Sequence, residues 1–109
     1  MRFSPLDPFL SNMQTGTGLA HFLAGRFDEA SSWSEAAIQD DPNYAIAAGV
    51  SAASHALAGR LELAEQAMAR VRRIDPKRRM SNLKDWLPIR RPQDFGRWAD
   101  GLRKAGLPD

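Results

Sequence analysis

The sequence predicts an all-α fold of two helix-turn-helix repeats followed by a degenerate repeat and capping helix. Three observations predict it. The dipeptide Asp-Pro returns at Asp7-Pro8, Asp41-Pro42 and Asp75-Pro76, 34 residues apart each time. Apolar residues between these marks recur at three- and four-residue steps, the period of a helix face rather than of a strand. Gly25 and Gly59 fall midway in their units, where a helix pair needs a turn. The same 34-residue offset superposes His21 on His55, Ala24-Gly25-Arg26 on Ala58-Gly59-Arg60, Phe27 on Leu61, Asp28 on Glu62 and Ala30 on Ala64. Agreement at that many positions marks an internal repeat.

Each element follows from local chemistry. Asp7 can cap a first helix with Pro8 at its first position, where a missing N–H leaves no bond unmade. Met13, Leu19, Phe22 and Leu23 give that helix an apolar stripe, and Gly25 closes it. Asp28 and Glu29 begin a second helix at the positive end of its dipole, with Ala30, Trp33, Ala37 and Ile38 on its buried face, and Asp41-Pro42 stops it. Pro42 is expected to open a third helix running to Ala58. After the Gly59 turn, a fourth from about Leu61 to Ile74 buries Leu61, Ala64, Met68 and Val71. Small residues at Gly18, Ala30, Ala37, Ala52 and Ala64 let helices approach closely, and Phe27, Trp33, Leu61 and Met68 fill the remaining space.

Beyond Pro76 the pattern changes. Lys77 to Leu87 reads as a short helix stopped by Pro88. Pro92 starts another, with Phe95, Trp98, Ala99 and Leu102 on one side and Arg97, Asp100, Arg103 and Lys104 on the other, ended by Gly106. This amphipathic element is expected to cap the array, whose last apolar face would otherwise be sticky. The N-terminal side has no equivalent cap, and two repeats with one cap fall short of the roughly three that arrays need. The chain is therefore expected to be the tail of a longer protein or to associate with itself.

A length of 109 residues, 43% of them hydrophobic and 26% charged, points to one domain over 1–109 and excludes a multidomain enzyme. The absence of cysteine excludes a disulfide framework, a thiol nucleophile, an iron-sulfur cluster and a cysteine zinc site. The opening residues carry two prolines and an aspartate where a secretion signal needs an apolar run. Tyr44 to Gly59 is too short for a bilayer and is interrupted by Ser51, Ser54 and His55. A cytoplasmic location without membrane contact is the default expectation. Charge is unevenly placed: residues 1–71 carry four basic against eight acidic side chains, and residues 72–109 eleven against five, within a formal total of +2.

Little in the sequence points to chemistry. His21 and His55 occupy equivalent repeat positions, which suits packing or hydrogen bonding between repeats, and no further zinc ligands are patterned near them. Asp41 of the Asp40-Asp41 pair belongs to the repeated Asp-Pro turn. Gly16-Thr17-Gly18 lacks the strand and the lysine of a phosphate-binding loop. The serines have no histidine and acid at readable spacing. No catalytic residue, metal site, cofactor or small-molecule substrate is expected. Lys77-Arg78-Arg79 and Arg90-Arg91, interleaved with Trp86, Phe95 and Trp98, form the one segment that invites a nucleic-acid reading, by phosphate contact and base stacking. Interspersed acids and the helical spacing of the aromatics argue for a solvated or self-complementary face instead.

The period and its glycine, alanine and proline pattern resemble the tetratricopeptide repeat family. Repeat one, residues 11–44, places Gly18, His21, Ala30, Ala37 and Pro42 at signature positions. Repeat two, residues 45–78, places Ala52, His55, Ala64, Met68, Val71 and Pro76, and residues 79–109 form the degenerate repeat and cap. Gln14, Thr17, Ala48 and Ser51 stand where large tryptophan and leucine residues are usual. The resemblance implies a short right-handed superhelix (an α-α solenoid) and a non-enzymatic module for protein–protein interaction or oligomerisation, with first helices lining a concave groove. Its ligand-facing positions here are Asn12, Thr15, Leu19, Phe22, Leu23, Ile46, Gly49, Ala53, Ala56 and Leu57. These make an apolar, small-walled groove suited to a protein or peptide segment, a second copy included, and lack the lysine and asparagine clamp for a C-terminal carboxylate. Aspartate at Phe22 or Leu57 is then expected to abolish association without unfolding the chain.

The runs Arg2 to Pro8, His21 to Ala30, Pro88 to Pro92 and Gly101 to Pro108 are also similar to the C-terminal region of bacterial class III adenylate or guanylate cyclases that carry such repeats. That similarity implies a regulatory tail with none of the cyclase catalytic motifs. An intramolecular spacer that positions an upstream effector is the alternative.

Overall fold

The computed structural model describes residues 8–86, 89 and 91–109, with side chains from residue 14 onward apart from those of 84 and 85. Among the described residues five α-helices follow one another: α1 Pro8–Leu23, α2 Phe27–Asp40, α3 Ala45–Leu57, α4 Leu61–Ile74 and α5 Pro92–Ala105, with a 3-10 segment Met80–Asp85 between the last two. No strand occurs among the described residues. α1 packs on α2, α2 on α3 and α3 on α4, so consecutive helix pairs stack as an all-α helical repeat solenoid. The molecule measures 40 × 28 × 26 Å.

The turns between paired helices share one construction. Gly25 and Gly59 take φ of +83° and +86°, a left-handed conformation that favours glycine. Each then lets the following arginine reach back five residues. Arg26 N–H donates to the His21 carbonyl at 2.9 Å and Arg60 N–H to that of His55 at 2.8 Å, while the glycine N–H groups donate to Phe22 and Ala56. This paired closure satisfies two carbonyls that a helix end leaves open. Gly106 ends α5 in the same way, with Leu107 N–H on the Leu102 carbonyl at 3.0 Å.

Asp-Pro works differently from the sequence expectation. α3 begins at Ala45, not at Pro42. The residue before a proline is pushed out of the helical region, and Asp41 accordingly sits at φ −142°, ψ 87°, closing α2 by donating its N–H to Ala37. Tyr44 N–H then returns to the Asp41 carbonyl at 3.1 Å, so the segment is a turn between helices. Asp75 repeats the arrangement, with Arg78 N–H on its carbonyl at 3.1 Å. Pro8 is the first described residue and lies within α1, and the expected Asp7 cap falls outside the described residues.

The helix expected over Lys77 to Leu87 shrinks to the 3-10 segment, broken at Asn82 (φ −113°, ψ 20°). Asn82 competes with regular helix for backbone partners. Its Oδ1 accepts from Arg79 N–H and its Nδ2 donates to the Lys77 carbonyl, both at 2.9 Å.

The core joins Phe22, Ala30, Ala48, Val50, Ala52, Ala53, Ala64, Met68 and Val71 to Leu83, Trp98, Leu102, Ala105 and Leu107 of the C-terminal segment. Gly18 shows why small residues were needed: a Cβ there would lie 3.2 Å from the Ala30 carbonyl oxygen and 3.3 Å from Trp33 Cβ. Two expected core residues are not buried. Trp33 is 41% and Leu61 53% exposed. Phe27, the counterpart of Leu61, packs against Phe22, whereas no further helix pair covers Leu61 among the described residues.

Candidate functional site

The expected ligand-facing positions lie on α1 and α3, and Phe22, Gly49 and Ala53 among them form a wall against the C-terminal segment. Thr15, Phe22, Gly49, Ala53 and Ala56 are buried, and Leu19, Leu23, Ile46 and Leu57 are half-buried around them. The backbone of Asn12 lies in α1, and its side chain is outside the described set.

That wall is not an open groove, because α5 lies across it. α5 packs chiefly on α3, with further contacts to α4 and α1. Trp98 and Leu102 are fully buried at the junction. The Trp98 ring meets Phe22 edge-on at a centroid distance of 5.9 Å and Trp86 at 5.6 Å. Such aromatic pairs add about 0.5–1.5 kcal/mol beyond their area burial.

Two glycines set the closeness of the fit. A Cβ on Gly49 would fall 2.6 Å from the Trp86 ring and 3.2 Å from that of Trp98. On Gly101 it would fall 2.8 Å from Ala53 Cβ and 3.1 Å from the Ala53 backbone. α5 and α3 therefore cross almost backbone to backbone. Arg97 Nη1 donates to the Leu23 carbonyl at the end of α1, and Met80 N–H donates to the Pro108 carbonyl at 2.8 Å, tying the 3-10 segment to the tail.

Burial changes what substitution at the wall means. Phe22 has no exposed surface, so aspartate there places a charge in the core and is expected to unfold the chain. The earlier expectation of a clean loss of association is corrected for Phe22 and kept for half-buried Leu57.

The occupant of the wall was missed by sequence reasoning, although a signal for it existed. Small Gly49 faces Trp98 and small Ala53 faces Gly101, two residues on one side of α5. The amphipathic stripe of α5 was legible, but its partner surface depended on how far the chain folds back after Pro88.

The basic segment also gains definition. Arg78 lies over the Trp86 ring, 5.0 Å from its centroid, and pairs with Asp75 at 3.2 Å, while Trp98 is in the core. These aromatics pack inward instead of offering a stacking platform. The two histidines serve the repeat turns. Arg26 Nε donates to His21 Nδ1 at 2.9 Å and Arg60 Nε to His55 Nδ1 at 3.0 Å. Among the described residues no group of three or more His, Cys, Asp and Glu side chains is gathered, and no helix is long and apolar enough to cross a membrane.

Comparison with curated proteins finds no match, and comparison with solved structures finds none either. The family described as Tetratricopeptide repeat matches residues 21–87, more than half of the chain and the stretch that holds both glycine turns. Such repeats are a non-catalytic interaction fold that generally binds proteins or peptides. With a family match over that span and a stack of helix pairs in the 34-residue period, the chain belongs to the tetratricopeptide repeat family.

Proposed function

We propose that this chain is a protein-interaction module that holds an amphipathic helix against the wall of Asn12, Thr15, Leu19, Phe22, Leu23, Ile46, Gly49, Ala53, Ala56 and Leu57, and that α5 is its resident occupant. One observation carries the reading. The wall already accepts a helix, with Trp98 and Leu102 fully buried and Gly101 against Ala53. That is helix-in-groove recognition within a single molecule. A partner helix, from another protein or a second copy, then binds by displacing α5, at roughly 25 cal/mol per Å² of apolar surface covered before association costs. On the similarity of its sequence runs, the module serves as the regulatory tail of a bacterial cyclase-like protein.

The test uses Gly101→Leu, which leaves α1 to α4 unaltered and drives α5 off Ala53. A fluorescein-labelled peptide of residues 86–108 is expected to bind this variant at least about tenfold more tightly than the wild-type chain, since only the variant offers an open wall. The same peptide with Trp98→Ala is expected to lose that binding. Failure of the peptide to bind a Gly101→Leu chain that circular dichroism shows still helical rejects the reading. It leaves the spacer, a reading that the closed wall itself favours.

A further inference from the structure

The seam between the two helix pairs contains a polar clasp. Arg60 Nε donates to His55 Nδ1 at 3.0 Å, which puts the imidazole proton on Nε2, and Nε2 meets Glu35 Oε1 at 2.9 Å. Arg60 Nη1 donates to Asp28 Oδ1 at 2.9 Å. Asp28 and Glu35 are seven residues apart on α2, two helical turns, so both carboxylates lie on one face. Between them Ser31 and Ser34 turn their hydroxyls onto their own helix, to the carbonyls of Asp28 and Ser31, both at 3.0 Å. α3 thus receives a helix that presents two carboxylates over a small, self-satisfied surface.

The first pair carries the receiving half of the same clasp. Arg26 Nε donates to His21 Nδ1 at 2.9 Å, across a glycine turn of the same geometry. Nothing among the described residues supplies the other half. Among the described residues the one carboxylate paired with the Arg26 guanidinium is that of Glu29 in its own turn, at 3.8 Å with the two side chains 55% and 51% exposed, and none meets His21 Nε2. Ala20 is exposed where its counterpart Ser54 is buried. Trp33, at the position equivalent to Ala67, adds apolar area. Ala67 lines, with His55 and Ser51, a hollow of about 290 Å³ bordered by Glu35 and Ile38 of α2. The 34-residue equivalence therefore puts Trp33 beside the corresponding place on α1.

We propose that this outer face of α1 docks an acidic amphipathic helix of a partner protein, one with carboxylates at i and i+7 over small residues, in the register that α2 takes on α3. Charge complementarity selects the occupant: an arginine and a histidine held by the turn face outward, and their internal equivalents bind carboxylates. Trp33 supplies an apolar anchor that α4 lacks at Ala67. A second copy fits less well. The counterpart of Glu35 on its α4 is Ala69, so it brings Glu62 for Arg26 and no carboxylate for His21. This face is separate from the wall that holds α5, so the two proposals stand or fall independently.

The probe is a helix-stabilised peptide of residues 27–40, acetylated and amidated, titrated into the intact isotope-labelled chain by NMR. Saturable shifts are expected at the amides of Thr17, Ala20, His21 and Arg26 and at the Trp33 indole. Binding is expected to weaken by about tenfold or more in Arg26→Glu, an exposed substitution that leaves the fold intact. It is expected to vanish for the peptide carrying Asp28→Lys and Glu35→Lys. Equal shifts with both peptides, or none at this face, overturn the proposal. Shifts at this face on raising the concentration of the chain alone identify a second copy as occupant and also overturn it.

Discussion

Gly96 and Gly101 lie in the same helix, and identical changes at them are expected to have opposite signs. A Cβ on Gly96 meets nothing within 4 Å, so Gly96→Ala gains helix propensity and stabilises by about 0.5–1 kcal/mol. A Cβ on Gly101 lies 3.1 Å from the backbone of Ala53, which cannot turn aside as a side chain can, and overpacking of about 1–3 kcal/mol outweighs the same propensity gain. Urea unfolding of the two variants checks both signs, and two shifts of the same sign contradict the packing argument. Tyr44, the only tyrosine, gives a second reading at this scale. Burial, aided by the nearby charge of Asp41, raises its phenol above the ordinary value of 10.0. With the folded value above the unfolded one, the neutral phenol's contribution to stability is complete below about pH 10 and fades as pH rises through the folded value. An ultraviolet titration is expected to place the phenolate midpoint above 10 in the folded chain and to bring it back to about 10 in denaturant.

At the scale of elements, the glycine turns were legible because their signal is local. The His-x-x-Ala-Gly-Arg pattern encodes a helix end, a left-handed residue and an arginine that returns to the histidine, all within six residues. Gly25→Ala and Gly59→Ala are each expected to cost about 1–2 kcal/mol, since alanine is strained at positive φ, and thermal unfolding of the two variants measures it. Elements whose ends depend on distant partners were read less well. Asp-Pro reads as a helix start, yet Pro42 and Pro76 sit in turns, because the residue before each has already closed the preceding helix. Asn82 likewise redirects a helix-forming stretch through side-chain bonds that periodicity does not register. Trp33 and Leu61 match their stripes perfectly and remain exposed, since a stripe tells which face is apolar and not whether another helix arrives to cover it. The candidate wall follows the same rule: repeat positions point to residues of α1 and α3, and what covers them depends on a long-range return of the chain.

Across the whole molecule, the return of α5 couples charge to association. Six of the thirteen acidic residues lie in α2 and early α4, and eleven of the fifteen basic ones lie from the end of α4 onward, within a body 40 Å in its longest dimension. At 0.01 M salt the screening length is about 30 Å, comparable to that body, and the opposite halves of neighbouring molecules attract over most of their extent. At 0.15 M it falls to about 8 Å, and only contacts that also bury apolar surface persist. The wall of α1 and α3 is already covered by α5, and among the described residues Trp33, Leu61 and Leu63 are the large exposed apolar side chains. Light scattering during size exclusion is therefore expected to give the 12.1 kDa monomer at 0.15 M salt over the micromolar range, with mass rising with concentration only at low salt. A dimer that survives 0.5 M salt contradicts this account, because its interface must then be apolar. Repeating the measurement on Trp33→Ala and Leu61→Ala then shows which end of the stack supplies it.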